Sequence, residues 1–206
     1  VERNEVIIPT VSSKTYNKGR IGYVKVTAFL DNTAKEFVKA LDKFEKSQIE
    51  GVVIDLSDNG GGYVGTAYDM LDRILPDATE IFSFVYKSGK KDVAKTGEIT
   101  GKSDKVFMVP IVILLNTSSA SASELFTGAL VDNGYAETVG ETSYGKGVAQ
   151  SIFDIQGKEA KGVVGGLKLT TIKYYLPNGE SINKVGIIPD YKIADNKKTA
   201  KDEQLD

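Results

Sequence analysis

Ile111-Val112-Ile113-Leu114-Leu115 runs through Asn116-Thr117-Ser118 into Ser119-Ala120-Ser121-Ala122-Ser123-Glu124. Five apolar residues after Pro110 mark a short buried strand, the kind found inside a parallel sheet. The Ser-Ala run then opens a helix that extends to about Asn133-Gly134. Ser121-x-x-Glu124 has the spacing of a capping box. A strand that turns into a helix through small polar residues is where an α/β enzyme carries a nucleophile. Ser121 is the candidate, with Ser119 and Ser123 as rivals that the pattern does not separate. The same residues also make a plain helix start, because small side chains pack well there.

Outward from this stretch, strands and helices alternate. Ile21–Thr27 is β-rich and partly alternating, so it reads as a strand. Thr33 and Glu36 form a second capping box, and Phe37, Val38, Leu41 and Phe44 follow at helical spacing. Gly51–Leu56 is another short apolar run. Gly60-Gly61-Gly62 turns the chain into a helix carrying Val64, Ala67, Tyr68, Leu71, Ile74 and Leu75, stopped by Pro76. Ile81–Tyr86 is a strand, and the polar, lysine-rich stretch from Ser88 to Lys105 is a surface loop or exposed hairpin. Val148–Ile155, Val163–Tyr175 and Ile182–Ile188 are β-rich, the last two separated by a turn at Pro177-Asn178-Gly179. The order predicts an α/β fold with right-handed crossovers, in which residues 1–20 are an extended lead-in, 21–192 the core and 193–206 a polar tail.

Composition narrows the function. The chain has 206 residues, 26 basic and 28 acidic, and a net charge of −2. That balance gives no electrostatic case for nucleic acid. No apolar run approaches the roughly 20 residues of a membrane-crossing helix. Val1-Glu2-Arg3-Asn4-Glu5 is charged and does not read as a signal peptide.

There is no histidine and no cysteine. A Ser-His-Asp triad and a thiol nucleophile are both impossible, so a serine nucleophile needs lysine, carboxylate or an amino terminus as base. Lys146 lies in the glycine-flanked turn Tyr144-Gly145-Lys146-Gly147. It serves as a base only where burial strips its water and leaves a neutral amine; its other reading is a solvated turn lysine. Gln150, four residues on, is placed to hold the amine. The Ala122 amide, at a helix N-terminus, is a candidate oxyanion donor, with the glycine loop opposite as the second. Gly140–Gly147 nearly matches a phosphate-binding loop, but Gly147 stands where magnesium needs Ser or Thr, and a strand follows. Gly60-x-Gly62-x-x-Gly65 matches a dinucleotide fingerprint, yet the next strand ends in Tyr86-Lys87-Ser88 without the acid a ribose needs.

Taken in order, these motifs resemble the C-terminal processing peptidases, or tail-specific proteases. Members carry Asp-Leu-Arg-x-Asn-Pro-Gly-Gly, here Asp55–Gly62, with Ser57 for the arginine and Gly60 for the proline. They carry Ser-Ala-Ser-Ala-Ser-Glu, intact at Ser119–Glu124, followed by Gly128-Ala129-Leu130 and Asp132. Gly-Glu-x-Thr/Ser-x-Gly-Lys-Gly-x-x-Gln matches at Gly140, Glu141, Ser143 and Gly145–Gln150. Lys173–Gly179 and Gly186–Asp190 match the closing motifs. The resemblance runs from about Ile7 to Asp190. It implies a ClpP/crotonase-like β-β-α core with an additional late β-rich segment. It further implies a Ser/Lys endopeptidase that cuts protein or peptide substrates near accessible C-termini, with no metal or other cofactor, in an exported setting. Ser121 is then the nucleophile, Lys146 the general base and Gln150 its orienting residue, with the amides of Gly61 and Ala122 as the oxyanion hole. Some members also implicate the aspartate at the Asp132 position. The family usually carries a PDZ domain just before the segment resembling Arg3–Val11. The alternative is a non-catalytic ligand-binding domain of the same fold.

Overall fold

The computed structural model describes residues 8–97, 107–156 and 162–194. Its main sheet has six strands: β1 (Val11–Tyr16), β2 (Ile21–Val26), β3 (Gly51–Asp55), β6 (Ile111–Leu115), β7 (Ala136–Gly140) and β10 (Tyr191–Lys192), side by side in that order. Every neighbouring pair is parallel except β1 with β2. A second, antiparallel sheet runs in the order β5 (Lys91–Lys95), β4 (Glu80–Tyr86), β9 (Val163–Tyr175), β8 (Val148–Gln156). Among the described residues three α-helices accompany these sheets: α1 (Thr33–Lys46), α2 (Val64–Asp72) and α3 (Ala122–Asp132).

The buried strands are the ones the apolar runs marked. Val24, Ile54, Ile113 and Leu115 have no exposed surface. On α1 the buried residues Phe37, Ala40, Leu41 and Phe44 fall at i, i+3, i+4 and i+7, the spacing of one helical face. That face meets α3, where Phe126 stands edge-on to Phe37 at 6.0 Å and tilted against Phe29 at 6.1 Å. Truncating such a phenylalanine to alanine costs about 3–5 kcal/mol in a packed core. Phe84 and Tyr174, edge to face at 5.7 Å, pack the second sheet together.

Several expectations are corrected. The lead-in is not extended throughout: Val11–Tyr16 is a strand of the main sheet, paired residue for residue with β2, and Asn17–Gly19 is a 3-10 turn whose positive φ angles reverse the chain into β2. Thr33 and Glu36 do not form a capping box. The Glu36 carboxylate instead accepts from Thr10 N at 3.0 Å and Val11 N at 3.1 Å, and so pins the entry to β1. Ile182–Ile188 is not a strand: Lys184 and Gly186 have φ of 64° and 77°, which breaks the extended run. Pro177-Asn178-Gly179 is therefore a turn but not a two-stranded hairpin. Strands β7 and β10 carried no apolar signature and went unpredicted. The stretch from Ser88 does form an exposed hairpin, β4 with β5, as far as described. Of the expected polar tail, Ile193 and Ala194 are described; the rest lies outside the described residues.

Candidate active site

Strand β6 ends at Leu115, and Asn116–Ala120 turns the chain into α3. The turn is held by side chains. Ser119 Oγ donates to Leu56 O at 2.8 Å, and Ser123 Oγ donates to Asn59 O at 2.8 Å. Both hydroxyls are thus spent on the loop after β3. Of the three rival serines, Ser121 alone lines the neighbouring cleft. Its backbone sits at φ 59°, ψ −114°, a conformation that costs a non-glycine residue about 1–3 kcal/mol and persists only where the surroundings enforce it.

Glu124 does the enforcing. It has no exposed surface, and four donors converge on its carboxylate. Oε2 accepts from Ser121 N at 2.8 Å and Lys146 N at 2.9 Å. Oε1 accepts from Ser143 Oγ at 2.6 Å and Gly145 N at 2.6 Å. One buried side chain therefore ties the turn bearing Ser121 to the loop bearing Lys146. The Ser-x-x-Glu spacing predicted the local half of this, the Glu124 carboxylate reaching back to Ser121 N; the Ser121 hydroxyl itself makes no cap hydrogen bond, and Glu124 N donates to Ser121 O. Nothing in the spacing signals the reach to Gly145 and Lys146.

The glycine loop forms the opposite wall. Gly61 has φ 96°, and a Cβ there would lie 2.6 Å from Ala120 O and 2.9 Å from Ala122 N. The loop can press against the Ser121 turn only because this residue has no side chain. Asn59, fully buried, shapes the loop: its Nδ2 donates to Val26 O at 2.8 Å, and its Oδ1 accepts from Gly61 N at 2.9 Å. The Gly61 amide is thus engaged by Asn59. Ala122 N belongs to the first turn of α3, where N–H groups have no helical acceptor.

The resulting cleft encloses about 540 Å³ and is lined by Gly60–Val64, Ser121, Lys146, Gln150, Lys168 and Tyr174 among others. Lys146 is half-buried and Gln150 exposed. Ser121, Lys146 and Gln150 share the cleft, but among the described residues no hydrogen bond joins their side chains. Burial pushes the Tyr174 phenol up to about 12, so the phenol stays uncharged. Asp132 is elsewhere: it accepts from Asn178 N at 3.1 Å and lines a separate pocket against Leu176 and Ile182. Lys146 leads directly into β8 rather than a helix, which removes the phosphate-loop reading. Among the described residues, no three acidic side chains gather as a metal site would require.

A strained serine at a strand-to-helix turn, beside a glycine loop and a lysine in one cleft, is the layout of a serine-nucleophile hydrolase without histidine. Residues 20–193 match the model of peptidase family S41, and the chain belongs to that family. It is 34% identical over 195 residues to the carboxy-terminal processing protease CtpB of Bacillus subtilis, covering 94% of this chain and 38% of that protein. It is 34% identical over 170 residues to a carboxyl-terminal-processing protease of Synechocystis, covering 82% of this chain and 37% of that one. Among solved structures it is similar to a photosystem II D1 C-terminal processing protease, with a TM-score of 0.77 and 27% identity over 93% of this chain and 50% of that one. The chain thus spans well under half the length of these curated relatives. No described helix is long and apolar enough to cross a membrane.

Proposed function

We propose that this chain is the catalytic core of a serine endopeptidase that cleaves protein substrates near their C-termini, in an exported setting, with Ser121 as nucleophile and Lys146 as general base. The observation that carries the reading is the sorting of the three serines. Two hydroxyls are bonded into the fold, and the third opens into a cleft that also holds Lys146 and Gln150.

In the proposed reaction Ser121 Oγ attacks the scissile carbonyl carbon and passes its proton to the neutral Lys146 amine. The flexible four-carbon stem of Lys146 closes the remaining gap, and Gln150 orients it. Charge develops on the former carbonyl oxygen, within reach of the Ala122 N–H and of the Gly61 N–H once Asn59 Oδ1 shares or releases it. The Lys146 ammonium then protonates the leaving amine, the C–N bond breaks, and water hydrolyses the acyl-serine with the same lysine as base.

Ser121→Ala and Lys146→Ala should each abolish peptide hydrolysis without unfolding the protein. The double variant should be little worse than either single one, because residues acting as a unit lose most of their effect together. A fluorophosphonate probe should label the native protein at Ser121. Turnover at the native rate in either variant would end the proposal. A folded native protein that neither labels nor hydrolyses would favour the non-catalytic binding domain.

A further inference from the structure

Two charged side chains line the cleft, and both are lysines; no carboxylate is among its described lining residues. Lys146 is assigned to the proposed chemistry. That leaves Lys168 as the cleft lysine without a role.

Lys168 lies on β9 directly opposite Ile152 of β8, two pairs along the ribbon from Gln150 and Thr170. Residues directly opposite in an antiparallel pair share a face. Gln150, Ile152 and Lys168 therefore stand on the cleft side, while Phe153 and Leu167, the next pair, stand on the other. At about 3.3 Å per residue, Lys168 is about 7 Å further along the ribbon than Gln150. Asp154 follows Ile152 on the same face, yet none of the ion pairs among the described residues includes Lys168. Its surroundings are otherwise apolar and open: Ile152 is 70% exposed and Tyr63, across the cleft, 57%.

We propose that Lys168 is a specificity-determining residue that binds a carboxylate of the peptide held in the cleft, about two residues from the scissile bond. The proposal rests on the reading that the Ser121 cleft receives peptides. The ligand it selects is an extended apolar peptide with one anionic group at that distance, supplied by a free chain terminus or by an aspartate or glutamate side chain. A neutral peptide gains no ion pair there. An anionic one pairs with the Lys168 ammonium.

The test separates this from catalysis by reading binding. Pentaalanine carrying an uncharged boron-dipyrromethene dye at its N-terminus is prepared as the free acid, as the C-terminal amide, and as an amide with one internal aspartate. Anisotropy titrations use the Ser121→Ala protein, alone and combined with Lys168→Met or Lys168→Glu. At least one carboxylate-bearing peptide should bind about fivefold tighter than the plain amide, the upper range for a solvent-exposed ion pair. Which one does so identifies the source of the carboxylate. The preference should shrink as salt rises, vanish with Lys168→Met and reverse with Lys168→Glu. A preference that survives Lys168→Met, equal affinity for all three peptides, or no binding of any of them would overturn the proposal. Fluorophosphonate labelling of the native protein is run beside it. A Lys168-dependent carboxylate preference without labelling at Ser121 would sink the peptidase reading and leave the carboxylate anchor standing.

Discussion

Glu124→Gln is the substitution that asks most of the site. The glutamine has the same shape but one acceptor oxygen in place of two. If that oxygen keeps Ser143 Oγ and Gly145 N, the new amide nitrogen faces Ser121 N and Lys146 N, two donors that now have no acceptor. Flipping the amide only exchanges which pair is orphaned. Hydrogen bonds to a charged group are worth about 1.5–3 kcal/mol each, so the loss of two predicts about 3–6 kcal/mol. In a chain of this size that lowers Tm by about 6–24 °C, at about 2–4 °C per kcal/mol. Urea unfolding followed by circular dichroism measures the stability. The rate of fluorophosphonate labelling measures whether Ser121 keeps its strained conformation. Labelling should slow even at temperatures where Glu124→Gln is fully folded, because the variant loses the strap between the Ser121 turn and the Lys146 loop. Stability within about 1 kcal/mol of native, the low end for a single hydrogen bond, together with an unchanged labelling rate would refute the reasoning.

Three further outcomes follow from the same geometry. Burial works to raise Glu36, but the hydrogen bonds from Thr10, Asn32 and Val11 outweigh it and hold the carboxyl below its ordinary value of 4.5. A lowered carboxyl contributes stability that is present above that value and lost as pH falls through the folded one. Glu36→Gln should therefore lower stability at neutral pH and flatten its acid dependence; parallel pH–stability curves for the two proteins would contradict this. Gly61→Ala should abolish Ser121 labelling, since its Cβ would collide with the backbone of the Ser121 turn and the residue sits at φ 96°; native labelling would show that the loop can retreat. Tyr174→Phe should leave the pH dependence of peptide hydrolysis unmoved, because burial pushes the Tyr174 phenol up to about 12; a profile displaced in the Tyr174→Phe protein would place the phenol in the chemistry.

Much of this molecule was legible along the chain. Periodicity and turn residues are properties of near neighbours, so α1, α3 and the strands β2, β3 and β6 could be read directly. The absence of histidine and cysteine restricts the base by composition alone. Strand β7 was not legible, because its buried centre is polar. Thr138 is 1% exposed, and its hydroxyl is satisfied by Asp190 Oδ2 at 2.8 Å, a partner 52 residues away. Ile182–Ile188 erred in the opposite direction: its apolar composition reads as a strand, but Gly186 presses on Ser143 O so closely that a Cβ there would lie 2.3 Å from it. Glu36 satisfies the spacing of a capping box and is drawn off to Thr10 and Val11 by tertiary contact.

At the site, the candidate residue types and their order were set by sequence alone. Which of the three serines is free was decided only by the fold, because the carbonyls that consume Ser119 and Ser123 come from 63 and 64 residues earlier in the chain. The bond from Lys146 N to Glu124 likewise spans 22 residues. A capping box forms between neighbours and leaves its mark in their spacing. The contacts that expose one hydroxyl and strap its turn to a lysine loop form only after the parallel strands β3 and β6 have brought distant segments together, and no local pattern records them.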